Sequence, residues 1–171
     1  GICNGFQALV KSGLLPYGRF DALEETSPTL FYNDANQHVA KMVTTRIANT
    51  NSPWLSGVEV GDVHWIPVSH GEGKFVVSQA ELQELIENGQ ILSQYCDFEG
   101  NVSMDSEFNP NGSTCAIEGI TSRNGQIVGK MGHSERFEEG LFRNIPGEKD
   151  QALFTSAVKF LQGHRIAVTA R

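Results

Sequence analysis

The sequence predicts an α/β fold, because strand-like and helix-like patterns alternate along the chain. Residues 40–49 (AKMVTTRIAN) and 63–68 (VHWIPV) are rich in β-branched residues, which favour strands. Residues 78–89 (SQAELQELIENG) form the clearest helical pattern, with a capping box from Ser78 to Glu81. Strands interleaved with helices are typical of domains in which helices cover a sheet.

Two further strand regions follow in the second half of the chain. Residues 91–96 (ILSQYC) predict a short strand, and residues 101–113 predict a loop because they are rich in Asn, Pro, Ser and Gly. Residues 116–132 predict two strands joined at Asn124-Gly125, a dipeptide that suits a two-residue hairpin turn. We therefore expect antiparallel hairpins added to the α/β layers.

Helices are predicted at both ends of the chain. Near the start, the helical spacing of apolar residues indicates a helix that buries Phe6, Leu9 and Val10. Residues 147–163 predict a final amphipathic helix, whose apolar face is Leu153, Ala157, Phe160 and Leu161. Together these elements predict a single domain over residues 1–171, with about residues 163–171 as a flexible tail.

The composition excludes two classes of partner. The 171 residues carry a net charge of −7, and Lys and Arg are not clustered, so binding to nucleic acid is not expected. Apolar runs fall short of the roughly 18 residues that a membrane helix needs. The three cysteines are widely spaced, which favours free thiols in a reducing compartment, and we expect a cytoplasmic protein.

The first candidate for chemistry is Cys3, in the segment GICNGFQ. Glycines at positions 1 and 5 give the Gly-x-Cys-x-Gly pattern of a nucleophile elbow, a sharp turn between a strand and a helix. The helix N-terminus after Cys3 is expected to favour the thiolate and to lower the thiol pKa. The backbone N–H of Asn4 is placed to serve in an oxyanion hole. Alternatively, Cys3 is a small apolar residue in a glycine-containing turn.

A base for this nucleophile is offered by His133 and Glu135 in MGHSERF. In an extended backbone these two side chains point to one face, so the carboxylate can orient the imidazole while its other nitrogen takes the thiol proton. A solvated His–Glu pair is the alternative interpretation. A zinc deaminase also uses His-x-Glu but needs a Cys-x-x-Cys that this sequence lacks, so no metal site is indicated.

Four segments in order carry a resemblance: GICNGFQ, PVSHGEGKF, NPNGS with AIEGI, and GHSER. Together they resemble the class I glutamine amidotransferase domain of the phosphoribosylformylglycinamidine synthases, over nearly the whole chain. The segment GEKDQALFTSAVKF resembles the end of the long, fused form of these enzymes, so we expect a C-terminal fragment of that form. The resemblance implies a flavodoxin-like three-layer fold. It also implies that L-glutamine is attacked by Cys3, with His133 as base and Glu135 as its orienting carboxylate.

The resemblance implies further partners and site residues. Ammonia from glutamine would pass to a synthetase domain of the same parent polypeptide, where ATP and Mg²⁺ serve the amination of formylglycinamide ribonucleotide; this chain itself would hold no cofactor. Two loops would lie at the glutamine site or at the face toward the synthetase. Their candidate residues are His70, Gly71, Glu72, Asn109 and Asn111.

Members of this family have further strands before the elbow, including a loop that donates a second oxyanion-hole N–H. The expectation is therefore an incomplete domain, with the N-terminal strands and helices missing, that is weakly active alone and is completed by the missing N-terminal part. Two other functions remain open at this point. One is a γ-glutamyl peptidase-like hydrolase of the same fold, and the other is a non-catalytic docking module.

Overall fold

The computed structural model describes residues 1–20 and 22–169, with side chains through residue 163. Within these residues the main sheet has five antiparallel strands: β2 (Val39–Ile47), β3 (Val63–His70), β5 (Ile91–Tyr95), β6 (Ile117–Thr121) and β7 (Val128–Lys130). Across the sheet their order is β3-β2-β5-β6-β7. A small second sheet pairs β1 (Thr29–Phe31) with β4 (Lys74–Val76).

Helices cover both faces of this sheet. The helices are α1 (Asn4–Lys11), α2 (Leu14–Tyr17), α3 (Gln79–Glu87) and α4 (Leu153–Thr169). Helices α1, α2 and α3 share one apolar cluster, and the start of α4 lies in another. On β5, Ile91 packs against the first cluster and Leu92 belongs to the second, because successive side chains of a strand point to opposite faces. The predicted mixed α/β fold with three layers is confirmed.

The elements predicted from local patterns are present at nearly the predicted positions. Strands β2, β3 and β5 cover the three predicted strand segments, and Ser78 caps α3 by accepting the backbone N–H of Glu81 at 3.3 Å. In a complete capping box the Glu81 side chain would also accept the backbone N–H of Ser78. Here the Glu81 carboxylate instead accepts the hydroxyl of Tyr17 at 2.8 Å. The tertiary contact with α2 competes for that side chain.

Two predictions about element ends were wrong. Strands β6 and β7 form the predicted hairpin, but the backbone of Ser122 pairs with that of Ile127, so residues 123–126 make a four-residue connection. The last helix begins at Leu153 rather than at residue 147, because Glu148 forms a parallel bridge with His64 on β3 and Gln151 donates to Thr45 on β2 instead.

The predicted apolar face of this helix is only partly buried. Leu153 and Ala157 are buried, whereas Phe160 and Leu161 are exposed in this chain. The backbone of α4 continues to Thr169, within the predicted tail. The side chains of residues 164–169 and the whole of residues 170 and 171 lie outside the described part, so the flexibility of residues 163–171 stays a prediction.

The curl of the sheet brings its two ends together. At one end, Ile2 forms a parallel bridge with Lys130, the last residue of β7. Three residues later the backbone N–H of His133 donates to the carbonyl of Pro67 on β3, at the other end, over 2.9 Å. The segments around residues 3 and 133 are therefore held against the outer edge of β3.

Neither a membrane span nor a metal cluster is found in the described part of the chain. No helix there has the length and apolarity needed to cross a bilayer. Nor do those residues include a group of three or more His, Cys, Asp or Glu side chains placed to hold a metal ion.

Candidate active site

Cys3 stands on a strained turn between Ile2 and helix α1. Its φ of 52° and ψ of −111° lie in a region that residues with a side chain rarely adopt. The turn is held from both sides, since the backbone N–H of Cys3 donates to Lys130 O at 2.8 Å and the Cys3 carbonyl accepts from Phe6 and Gln7. The sequence-predicted elbow therefore has the geometry of a side chain presented at the top of a strand.

The two glycines of the elbow motif differ in what they do. A Cβ on Gly1 would lie 2.5 Å from the carbonyl oxygen of Gly5 and 2.6 Å from the Leu9 side chain. A Cβ on Gly5 would meet nothing within 4 Å. The tight turn therefore requires glycine at position 1, whereas position 5 has room for a side chain.

The outer edge of β3 brings Cys3 and His133 into one place. The Cys3 thiol lies 3.8 Å from the carbonyl oxygen of Ser69, and the backbone N–H of His133 donates to that of Pro67. Alternate carbonyls of an edge strand point away from its partner strand. Residues two apart on a strand are about 6.6 Å apart, so the Cys3 thiol and the backbone of His133 contact the same short stretch of the edge.

His133 is oriented by Glu135, as the sequence predicted, but through a different backbone. The ring Nδ1 of His133 lies 2.6 Å from Glu135 Oε1, while Ser134–Arg136 form a 3₁₀ helix rather than an extended segment. A carboxylate accepts, so Nδ1 carries the proton and Nε2 presents its lone pair. Nε2 is buried and has no hydrogen-bond partner among the described residues, which leaves it available as a base.

The electrostatics at Cys3 oppose the expected lowering of the thiol pKa. Burial raises the pKa of Cys3, and this outweighs the backbone N–H of Asn4 and the charge of Arg136, which both lower it; Glu135 raises it further. The thiol is therefore predominantly protonated at neutral pH. Proton removal during the reaction, rather than a standing thiolate, is the step that such a site must provide.

A cavity of about 340 Å³ opens beside Cys3. It is lined by Cys3, Asn4 and Gln7 of the elbow and α1, and by His70, Gly71 and Glu72 at the end of β3. The Gln7 amide donates to the Glu72 backbone carbonyl at 3.1 Å and lies 3.3 Å from its carboxylate. The segment after β3 is thereby fixed over the N-terminus of α1, and the cavity has a size common for small-molecule sites.

His70 is held inside this wall by Asn33. The Asn33 side-chain oxygen lies 3.2 Å from His70 Nδ1 and accepts the backbone N–H of Gly73 at 3.0 Å, and its amide donates to the His70 carbonyl at 2.9 Å. Burial, with the nearby His38 and His133, lowers the pKa of His70 to about 4. The imidazole is therefore neutral at pH 7.

The two asparagines of NPNGS support this wall from behind and do not line the cavity. Asn109 closes its own loop by two hydrogen bonds of 3.0 Å to the backbone of Ser113. The buried amide of Asn111 donates to Gly73 O at 2.5 Å and to the Tyr95 hydroxyl at 3.1 Å. The geometry thus gives both residues a structural task, since Asn111 fixes the turn after β3 and Asn109 fixes the loop that precedes Ser113.

Comparison with known proteins adds a family to this geometry. Residues 1–161 match the CobB/CobQ-like glutamine amidotransferase domain. The chain belongs to that family. The resemblance inferred from GICNGFQ and the later motifs is thereby confirmed.

Relatives of this amidotransferase domain are longer than the chain. The phosphoribosylformylglycinamidine synthase subunit PurQ of Aquifex aeolicus is 40% identical over 86% of this chain and 59% of its own length. That of Gloeobacter violaceus is 36% identical over 92% of this chain and 61% of its own. In the solved structure of PurLQS from Thermotoga maritima, one chain matches with a TM-score of 0.67 and 27% identity, over 94% of this chain and 60% of that one. The chain spans about three fifths of the length of these relatives.

Several residues that shape the amidotransferase site were not singled out from the sequence. Asn33 and Gln7 are examples, as are Glu118 and Lys130, whose side chains are fully buried. The signal for the last two was present, since each is a single charge inside an apolar strand segment, AIEGI and IVGKMG. A lone charge in such a strand needs a buried partner of opposite sign.

The lowered pKa of His70 predicts an acid-sensitive amidotransferase domain. An unfolded histidine titrates near 6.5 and the folded one near 4, so below pH 6.5 the unfolded state binds the extra proton and stability falls. We expect this residue to lower the free energy of unfolding by about 1.4 kcal/mol per pH unit toward pH 4. Urea unfolding of wild type and His70→Gln at several pH values measures this, and equal slopes for the two proteins would contradict it.

Proposed function

We propose that this chain is the glutaminase portion of a phosphoribosylformylglycinamidine synthase, in which ammonia from L-glutamine aminates formylglycinamide ribonucleotide during purine biosynthesis. One observation carries the proposal: a strained cysteine and a carboxylate-bound histidine both contact the outer edge of β3, and a cavity opens beside the cysteine. The family match and the PurQ relatives support the same reaction.

In the proposed first half-reaction, the Cys3 sulfur attacks the side-chain amide carbon of glutamine. His133 Nε2 takes the thiol proton, and the negative charge on the carbonyl oxygen is stabilised by the backbone N–H of Asn4. His133 then gives the proton to the amide nitrogen, the C–N bond breaks, and ammonia leaves. A γ-glutamyl thioester remains on Cys3.

The second half-reaction releases glutamate. Water attacks the thioester carbon while His133 accepts a proton from it, and collapse of the intermediate breaks the C–S bond. The proton returns to the sulfur, which restores the protonated resting thiol that burial favours. Gly71 and Glu72 line the cavity and are proposed to contact the bound glutamine.

Selective labelling of Cys3 tests this proposal. After exposure to an electrophilic glutamine analogue, we expect mass spectrometry to find one adduct on Cys3 that free glutamine prevents. Cys115 is the internal control, because it is exposed and free and so reports unselective reaction, whereas Cys96 is buried. Equal labelling of Cys3 and Cys115, unaffected by glutamine in the chain and in a full-length parent protein, would favour a docking module without activity.

Replacement of Glu135 by glutamine should slow the reaction without removing the site. The amide can no longer stabilise the imidazolium that forms as His133 takes the proton, and it can favour the wrong tautomer. Loss of an equivalent carboxylate in Ser-His-Asp enzymes costs about 10⁴ in kcat, and we expect about 10² or more here because Glu135 is partly exposed. Steady-state glutaminase assays measure it, with Glu138→Gln on the exposed loop beyond as the control.

The proposed assembly includes a second polypeptide region at a groove beside the elbow. This groove of about 570 Å³ is mostly apolar and runs past Gly1, Ile2 and Leu9 to Val128 and Leu153. In the longer relatives an upstream region would cover such a surface, add strands beside Ile2 and supply a second oxyanion donor. A donor of that kind is typically worth about 10² to 10³ in rate.

Addition of the upstream region of a longer relative is therefore expected to raise the glutaminase rate of this chain by about 10² or more. The comparison is made in trans or as a fusion, with the same region fused to Cys3→Ala as the control for contaminating activity. An unchanged glutaminase rate despite a stable complex would contradict the proposal that the upstream region completes the site.

The remaining features of the proposal concern partners and location. We propose that the ammonia is delivered to a synthetase domain or subunit, which would use ATP and Mg²⁺ for the amination. A cytoplasmic location is proposed because Cys3, Cys96 and Cys115 are all free thiols, as in a reducing compartment.

A further inference from the structure

A buried ion pair lies directly behind the turn that carries His133. Glu118 on β6 and Lys130 on β7 both have fully buried side chains, and Lys130 Nζ is 3.3 Å from Glu118 Oε1. Ser93 on β5 donates its hydroxyl to the second carboxylate oxygen. Two charges are thus taken out of water inside the sheet, at a position where apolar residues would ordinarily be expected.

The contacts of this pair converge on the two neighbours of His133. On one side, the backbone N–H of Gly132 donates to Glu118 Oε1 at 2.6 Å, and its carbonyl lies 3.3 Å from Lys130 Nζ. On the other side, Lys130 Nζ donates to the hydroxyl of Ser134 at 2.8 Å. Both residues that flank His133 are therefore held by the pair, Gly132 through its backbone and Ser134 through its hydroxyl.

Gln151 completes the arrangement from a distant part of the chain. Its side-chain oxygen accepts from Lys130 Nζ at 2.7 Å and from the Ser134 hydroxyl at 2.5 Å, and its amide donates to Thr45 on β2 at 3.3 Å. The segment before α4 is thereby tied to the histidine turn. We name four residues the histidine clamp: Glu118, Lys130, Ser134 and Gln151.

Stability alone does not account for the clamp. Replacement of a buried ion pair by apolar residues of similar volume is often neutral or stabilising, so such a pair is poor evidence of a stabilising role. Misplacement of a catalytic group by about 1 Å can cost on the order of 10² in rate. Contacts that fix both neighbours of a base can therefore have a large effect on kcat. The direction of the contacts toward Gly132 and Ser134 matches the second task.

We propose that Glu118, Lys130, Ser134 and Gln151 are positioning residues that hold the His133 imidazole against Glu135 and toward Cys3. The inference rests on the proposed glutaminase reaction, because it assigns His133 the task of moving the proton. None of the four residues needs to touch substrate. Their effect passes through the backbone on either side of residue 133.

Ser134→Ala tests the clamp with the smallest change. It removes the hydroxyl that ties the histidine turn to Lys130 and Gln151 and leaves both charges of the pair in place. We expect kcat for glutamine to fall about tenfold or more with KM within about twofold, because bound substrate is unaffected while the base is displaced. Ser52→Ala is the matched control, since the Ser52 hydroxyl also has two partners, Gly125 O and the backbone N–H of Trp54, at the start of the 3₁₀ helix Pro53–Leu55 and outside the clamp.

A double variant, Lys130→Met with Glu118→Gln, removes both charges together. The introduced glutamine retains a side-chain oxygen for the Gly132 N–H, and the introduced methionine fills the space of the lysine stem, so folding is retained as judged by circular dichroism. Ser134 and Gln151 then lose the ammonium group of Lys130 that donates a hydrogen bond to each of them. We expect a loss of kcat at least as large as in Ser134→Ala.

A spectroscopic signal separates this inference from the proposed function. In wild type the Nδ1 proton of His133, bound to Glu135, should give a low-field proton resonance that is absent from His133→Gln. We expect it to broaden or move in Ser134→Ala and in the double variant, and to be unchanged in Ser52→Ala. This signal requires no substrate. A wild-type chain that stays inert toward glutamine when the upstream region of a longer relative is supplied overturns the proposed function, while the resonance still decides the clamp. Wild-type kcat and resonance in both clamp variants would overturn the clamp.

Discussion

Cys3→Ala is expected to abolish glutamine hydrolysis, with a fall in kcat of at least about 10³. Alanine has no sulfur to form the thioester, and water must then attack the amide directly. The side chain is lost from an elbow whose backbone is fixed by hydrogen bonds to Lys130 and to the first turn of α1, so the fold should be retained. Ammonia release from glutamine measures the effect, together with the unfolding midpoint.

Two controls make this result specific to the nucleophile. Cys115→Ala removes an exposed thiol and should leave the glutaminase rate unchanged. Cys3→Ser keeps a hydroxyl in the same strained position but is a far weaker nucleophile, so it should resemble Cys3→Ala. Activity in Cys3→Ala within a few-fold of wild type would contradict the proposed mechanism, whatever the labelling experiment shows.

The second large effect is expected on stability. Lys130→Met strands the Glu118 carboxylate inside the sheet without its cation, and removal of one partner of a buried pair typically costs about 3–5 kcal/mol. Burial lowers the pKa of Lys130, and the neighbouring Glu118 opposes that effect, so the ammonium depends on the pair. Urea unfolding of Lys130→Met should therefore occur at a much lower midpoint than that of wild type.

A lysine in a more exposed pair provides the matched control. Lys74 lies 2.6 Å from Asp34, whose side chain is 62% exposed, so Lys74→Met should cost no more than about 1 kcal/mol. Addition of Glu118→Gln to Lys130→Met removes the stranded charge and should recover much of the lost free energy of unfolding. Equal midpoints for Lys130→Met and Lys74→Met would show that the buried pair is not the source of the effect.

Local patterns predicted the elements of the fold better than their ends. The β-branched segment at residues 40–49 and the capped segment at 78–89 formed as predicted, because their periodicity and capping residues act within a few positions. The start of the last helix was missed, since Glu148 pairs with β3 and the Gln151 side chain is buried. The pattern in the sequence cannot show a competing partner that lies in a distant part of the chain.

The candidate site divides in the same way. Cys3 with its preceding glycine, and His133 with Glu135, could be recognised because each group is contiguous and its chemistry follows from residue type. The direction of the Cys3 pKa shift could not be recognised from the sequence. Burial by the folded chain raises this pKa by more than the local N–H of Asn4 lowers it. The tasks of Asn33, Asn109 and Asn111 were also invisible, since each holds a turn through its contacts in the fold.

The sequence by itself predicted the candidate residues Cys3, His133 and Glu135, the longer strands and helices, and the family to which the chain belongs. Only the tertiary structure decided that the two ends of the curled sheet meet at β3, which places Cys3 and His133 together although they lie near opposite ends of the chain. It also decided that Glu118 and Lys130 are paired beneath the histidine turn. The physical reason is that local patterns fix φ, ψ and amphipathic faces, whereas burial and charge pairing depend on which distant residues the sheet brings into contact.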